Sequence, residues 1–298
     1  MKCKANLLLL TTAAIWGLAF VAQRAGMEFI GPFTFNGIRF ALGGLSLIPL
    51  MVYYRGRADG QGTVLANSWR AGIAAGAILF IAASLQQIGL IYTTAGKAAF
   101  ITCLYIVLVP LASVFLRQRI ACSTWLGSVL AVAGLYLLCV KESFVVAYGD
   151  WLEAAGAAFW TAHILLIDRF VRRTSFLQLA FTQVMTCAAL SMLVAAVIET
   201  ITPAGILQAG VQLLYGGVCS VGIAYTLQII GQKNAPPAHA AIILSMETVF
   251  AVLGGWFILG EQLASRELAG CVFMLAGMLL AQVSSLPSQN KGGVEAGS

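Results

Sequence analysis

The chain has 298 residues, of which 60% are hydrophobic and 9% charged, and its mean hydropathy is +0.91. A soluble domain typically carries about 25% charged residues, so these charges cannot cover a sphere of this size and lipid must form part of the solvent. The net charge of +6 is scattered in ones, twos and threes between apolar runs, with no aromatic–basic interleaving, which excludes nucleic acid as a partner.

Apolar stretches of bilayer-spanning length predict an all-α, polytopic membrane protein of ten transmembrane helices, at 5–23, 34–54, 70–92, 96–116, 122–140, 149–168, 176–198, 207–230, 236–259 and 267–286. The first, preceded by Lys2 and Lys4, looks like a signal peptide. It is long, lacks a small-x-small cleavage site and is followed by nine more apolar segments, so it reads as an uncleaved span. The breaks between spans are short and polar or turn-forming, among them Gly31-Pro32, Arg117–Arg119, Arg172–Ser175 and Asn234–Pro237. None leaves room for a soluble domain. The small, polar end, 287–298, reads as a disordered cytoplasmic tail.

Orientation follows from the Lys/Arg bias. With a cytoplasmic N-terminus, twelve Lys and Arg residues fall on inside segments and four outside (Arg24, Lys97, Lys141 and Arg266), with Arg39 inside a span. Both termini are expected in the cytoplasm, the chain lying in a bacterial inner membrane. The seven cysteines never form CxxC, and only His163 and His239 are present, so neither a disulfide framework nor a metal site or cofactor is expected.

The chain also repeats itself. Ser84-Leu85-Gln86-Gln87-Ile88-Gly89 returns 142 residues later as Thr226-Leu227-Gln228-Ile229-Ile230-Gly231, and at the same offset Ala98-Ala99 matches Ala240-Ala241. At offset 143, Gly127 and Gly134 match Gly270 and Gly277, while Ala13-Ala14-Ile15-Trp16 answers Ala157-Ala158-Phe159-Trp160. The halves are thus 1–141 and 142–286. Each holds five spans, an odd number, so the two five-helix repeats are expected to lie inverted in the membrane, an arrangement that serves alternating access around a midplane site.

A Trp-Gly on the first span, the block Tyr92-Thr93-Thr94-Ala95-Gly96-Lys97-Ala98-Ala99-Phe100-Ile101-Thr102, and Ser245-Met246-Glu247-Thr248-Val249-Phe250 followed by Leu259-Gly260-Glu261-Gln262-Leu263 resemble the EamA branch of the drug/metabolite transporter superfamily. The resemblance covers nearly the whole chain. It implies a ten-helix fold with a central cavity and export or exchange of metabolites, amino acids or drugs. Two positions depart from the family pattern. Thr248 stands where the family often has Pro, and Arg117-Gln118-Arg119 occupies the first-half loop in place of Gly-Glu-Gln.

Polar groups inside a bilayer are costly and tend to be functional. Glu247, near the middle of the ninth span, is a candidate proton acceptor or counter-charge for a cationic substrate group; a structural pair with Arg39 is the competing reading. Gln86 and its repeat partner Gln228 offer donors and an acceptor to a neutral or zwitterionic metabolite, or else hydrogen bonds between helices. Trp16 and Trp160 are candidate aromatic walls for an amphipathic or ammonium-bearing ligand, with Tyr105 (aligned with Glu247) and Tyr225 of similar standing. Lys97 either snorkels to the interface or attracts an anion. His163 lines the cavity, relays a proton or simply bonds between helices; its H-x-x-x-x-D spacing to Asp168, known from acyltransferases, falls in a span with no catalytic domain around it.

Together these residues predict a secondary exporter or exchanger of small metabolites, such as amino acids or amphipathic drug-like compounds. Its site is expected between spans 1, 3, 4, 6, 8 and 9. No Walker loop is present to use ATP. Protons are the candidate coupling ion, with facilitated diffusion equally open. The alternative, an integral-membrane enzyme on lipid or prenyl substrates, predicts acidic clusters at a membrane face, whereas the outside acids are dispersed and no D-D-x-x-D occurs.

Overall fold

The computed structural model describes residues 2–55, 62–93, 95–118, 120–139, 147–259 and 264–283, and every regular element among them is helical. The expected disordered tail, 287–298, and the Leu259–Leu263 signature past its first residue lie outside the described residues. In lipid a helix satisfies its own backbone polar groups, so apolar runs of this length have few alternatives. The helices are α1 (Lys2–Gly26), α2 (Pro32–Arg55), α3 (Gly62–Tyr92), α4 (Ala95–Thr102), α5 (Tyr105–Phe115), α6 (Cys122–Cys139), α7 (Tyr148–Val171) and α8 (Phe176–Ile198). Then come α9 (Pro203–Gln208), α10 (Gly210–Leu214), a π-helical segment (Tyr215–Ala224), α11 (Tyr225–Gln232), α12 (Pro237–Leu244), α13 (Glu247–Leu259) and α14 (Ser265–Val283).

Seven segments of the described residues are long and apolar enough to cross a membrane, with Ala98–Phe115 and Gly210–Gln232 each counting once; Cys122–Leu137 and Pro237–Leu253 are shorter apolar helices. The chain is therefore a multi-pass membrane protein. Its outward surface is what lipid requires: Phe115, Leu207, Val197, Val129 and Val272 are all exposed. Exposed Tyr92, Tyr148 and Trp151 gather at one end, where Tyr92 and Tyr148 meet edge to face, as expected of an interfacial aromatic belt.

Three expected spans differ in detail. The third begins at Gly62 rather than 70. The fourth and ninth are each interrupted, and at positions 142 residues apart. At the first break Leu104 N–H donates to the Ile101 carbonyl and Ile106 N–H to that of Cys103; at the second, Met246 N–H donates to Ile243 and Thr248 N–H to Ser245. These tightened i→i+3 turns end one half-helix and start the next. The second break thus forms without a proline at position 248. The Thr248 hydroxyl closes the turn instead, donating to the Ser245 carbonyl at 2.9 Å.

Packing between the helices follows a pattern of exchanged partners. α6 lies along α14 and α2 along α8, while α3 packs on α7 and α8, and the segment 210–232 packs on α1 and α2. The α6–α14 contact is antiparallel and made through glycine. A Cβ on Gly127 would sit 2.6 Å from the Gly277 carbonyl oxygen, and one on Gly134 would sit 2.6 Å from that of Gly270. Backbones come this close only where side chains are missing. Elsewhere Glu199, past the end of α8, accepts from Phe33 N–H (2.8 Å), Thr34 N–H (2.7 Å) and the Thr34 hydroxyl (2.6 Å), so its carboxylate caps the positive end of α2.

Candidate functional site

A cavity opens between α1, α2, α3, the α4–α5 break, α7, the π segment, α11 and the α12–α13 break. It is lined by Trp16, Phe20, Gln23, Arg39, Gln86, Thr102, Tyr105, Trp160, Ile164, Ser220, Tyr225, Gln228, Leu244 and Glu247. The wall includes α2, which the expected span set left out, because Arg39 reaches inward.

Glu247 is the first residue of α13, placed at the cavity by the break between α12 and α13. Its Oε1 accepts from the Tyr105 hydroxyl at 3.2 Å and from Cys103 Sγ at 3.3 Å, both supplied by the break in the fourth span. Tyr105 and Glu247 are the two residues that the 142-residue offset aligns, so the repeat brings equivalent positions together. Arg39 is 4% exposed; its Nε donates to Asn36 Oδ1 at 2.9 Å, and its guanidinium lies 5.0 Å from the Phe40 ring centroid and 5.7 Å from that of Phe35. The anticipated Arg39–Glu247 pair does not form. Neither side chain has an ion-pair partner among the described residues, so a buried cation and a buried carboxylate share one cavity without neutralising each other.

Aromatic rings join the two. Tyr225 packs edge-on to Trp16 with centroids 4.9 Å apart and stacks with Trp160 at 6.5 Å. Trp16 Nε1 donates to the Ser220 carbonyl at 3.1 Å, a carbonyl within the π segment. π-Helical turns are frequent at functional sites because they leave backbone carbonyls outside the α-helical ladder. Gln86 and Gln228 occupy opposite halves of the wall, and the Oε1 of Gln228 has no hydrogen-bond partner. Gln87 instead points away, donating to the Gln23 carbonyl at 3.4 Å.

Of the residues expected at the site, the cavity therefore gathers Trp16, Arg39, Gln86, Tyr105, Trp160, Tyr225, Gln228 and Glu247. His163 stands behind the wall, fully buried, with Nε2 bonded to Gln183 Oε1 at 3.0 Å and its ring edge-on to Trp160 and Tyr225. Asp168 pairs with Arg172 at 3.6 Å and has nothing to do with His163. Lys97 lies in α4, where its side chain is outside the described residues. Sequence reasoning missed Phe20, Gln23, Thr102, Ile164, Ser220 and Leu244. Thr102 and Leu244 are equivalent at the 142-residue offset, and each ends a helix just before a break that only the structure shows. Among the described residues no cluster of three His, Cys, Asp or Glu side chains is arranged to hold a metal.

The model of the EamA-like transporter family matches this chain twice, over residues 4–140 and 147–282. An uncharacterized transporter of Archaeoglobus fulgidus is 30% identical over 285 residues, covering 93% of this chain and 85% of its own. The uncharacterized transporter YoaV of Bacillus subtilis is 20% identical and covers 93% and 96%. A solved crystal structure superposes with a TM-score of 0.80 over 97% of this chain and 100% of its own at 21% identity, which establishes the shared fold. The chain belongs to the EamA-like transporter family, and is a membrane transporter.

Proposed function

We propose that this chain is a secondary carrier that exchanges small zwitterionic metabolites, amino acids with an apolar or aromatic side chain above all, by alternating access. The observation that carries this reading is the cavity holding Arg39 and Glu247 unpaired, with Trp16, Tyr225 and Trp160 between them. An α-carboxylate answers Arg39, an α-ammonium answers Glu247, and the rings take the side chain. Because one carboxylate accepts either a proton or an ammonium group, Glu247 makes the two compete, which couples substrate movement to protons.

The carrier is read as ten spans in two inverted halves, 1–141 and 142–286. Three observations support this. Both helix breaks fall at the same offset with the same hydrogen bonds. The family model matches each half once. The contact of Gly127 with Gly277 and of Gly134 with Gly270 is crossed, as a two-fold axis between α6 and α14 requires. The Lys/Arg bias orients the chain with both termini in the cytoplasm of a bacterial inner membrane.

Counterflow in proteoliposomes tests the function. Vesicles loaded in turn with a panel of amino acids and cationic dyes should show saturable exchange of zwitterions, faster with an imposed pH gradient. Exchange of cationic dyes alone would overturn the zwitterion assignment. Exchange that ignores the gradient would remove protons from the cycle.

A further inference from the structure

Glu153, on α7, is fully buried, yet it is not on the cavity wall and pairs with no cation among the described residues. Its Oε2 accepts from the Thr102 hydroxyl at 2.8 Å, and its Oε1 has no partner. Thr102, unlike Glu153, does line the cavity.

The repeat shows what an ordinary residue would be at this position. Trp16 and Trp160 set an offset of 144 between α1 and α7, and at that offset Glu153 corresponds to Leu9. Thr102 corresponds to Leu244, and Gly89 to Gly231, at the offset of 142. The packing is the same in both halves. A Cβ on Gly231 would meet Leu9 Cγ at 2.8 Å, and one on Gly89 would meet Glu153 Oε1 at 2.6 Å. In one half the glycine makes room for an apolar leucine, and in the other the same room holds a carboxyl group. A buried acid placed where leucine packs costs stability, so the change has a use beyond packing.

The break between α4 and α5 ties this group to the site. Thr102, at its start, holds Glu153; Cys103 and Tyr105, just beyond, hold Glu247. We infer that Glu153 is a second proton-exchanging carboxyl group of this carrier, standing outside the substrate cavity and reporting to it through Thr102. Glu247 then serves the half that carries α13 and Glu153 the break in the fourth span, so that a rearrangement of that break disturbs both. On its own helix Asp150 is the charged neighbour, engaged with the Thr93 hydroxyl at 2.6 Å and the Ala147 N–H at 2.8 Å. The titratable side chains on elements packed against α7 are Arg70 and Tyr92 on α3, Tyr105 on α5, Tyr225 on α11 and His239 on α12, with Lys97 of α4 outside the described side chains; Thr102 alone hydrogen-bonds Glu153 among the described residues.

The inference deepens the carrier reading, but its test needs no substrate. Infrared difference spectra of the purified full-length protein in lipid, titrated with acid, report each carboxyl C=O band as it gains its proton. The wild type should show a band that is lost in both Glu153→Gln and Glu153→Leu and retained in Glu247→Gln. Glu153→Leu copies Leu9 and therefore keeps the packing even if the glutamine variant folds poorly. Thr102→Val should move the band to the higher frequency of a carboxyl group without a hydrogen bond. Spectra of both Glu153 variants that superpose on the wild type would overturn the inference, as would a Glu153 band that does not respond to pH. If counterflow fails while this band behaves as expected, the substrate reading falls and the proton site stands.

Discussion

At the scale of single residues, the cavity separates two roles that the sequence reading had offered to one pair. Arg39 and Glu247 were visible as rare charges within apolar spans, but which groups they meet depends on helix rotation, which hydropathy does not encode. Their separation gives distinct expectations. Glu247→Gln should abolish exchange while leaving expression and melting temperature close to wild type, because Tyr105 and Cys103 can still donate to an amide oxygen. A folded variant that transports normally would remove Glu247 from the site. Arg39→Gln should weaken apparent substrate affinity about tenfold to a hundredfold, the range of a lost charge-assisted hydrogen bond of about 1.5–3 kcal/mol, with decarboxylated amines spared the loss. Counterflow with an amino acid and its amine, side by side, reads that difference. Glu153 shows the limit of the sequence: nothing near the start of the expected span 149–168 singled it out, and only the packing of Gly89 against it reveals its place.

At the scale of elements, long apolar runs announced themselves and their ends did not. A span is set by about 20 residues of hydropathy, whereas a break inside it is set by a few hydrogen bonds. The interruptions at Cys103-Leu104 and Ser245-Met246 contain neither Gly nor Pro, so no local signal marks them. The repeat did carry the information, since both fall at one offset. Thr248 is the second residue of α13, in the first turn where a helix tolerates proline, which leads to an unusual expectation for a helix. Thr248→Pro removes the 3.2 Å bond from Thr248 N–H to the Ser245 carbonyl, the hydroxyl bond to the same carbonyl and the hydroxyl contact with Met274 Sδ at 3.3 Å. Its cost should be about 1–3 kcal/mol, well below a second proline placed at Val252, within α13, where an interior proline costs about 3 kcal/mol or more. Thermal unfolding of the two variants in detergent compares them directly; equal losses would mean that α13 in the membrane runs through Ser245 unbroken.

At the scale of the whole molecule, composition alone established the solvent, and matching blocks at a near-constant offset suggested two halves. The structure adds which helices exchange partners, information that resides in interhelical packing and in no single segment. The proposed inverted topology makes a simple demand: a reporter fused after Lys141 should behave as periplasmic and one fused after Arg173 as cytoplasmic. The opposite pattern would end the argument from two inverted halves.

The crossed glycines on α6 and α14 carry a further consequence. A surface on which position 127 meets 277 and position 134 meets 270 is complementary to its own repeat, so backbone fit alone should hold the seam between the proposed halves. Cut in that link and produced as two separate chains, 1–141 and 142–298 should assemble unaided into one carrier. Replacing Gly134 by leucine should keep them apart.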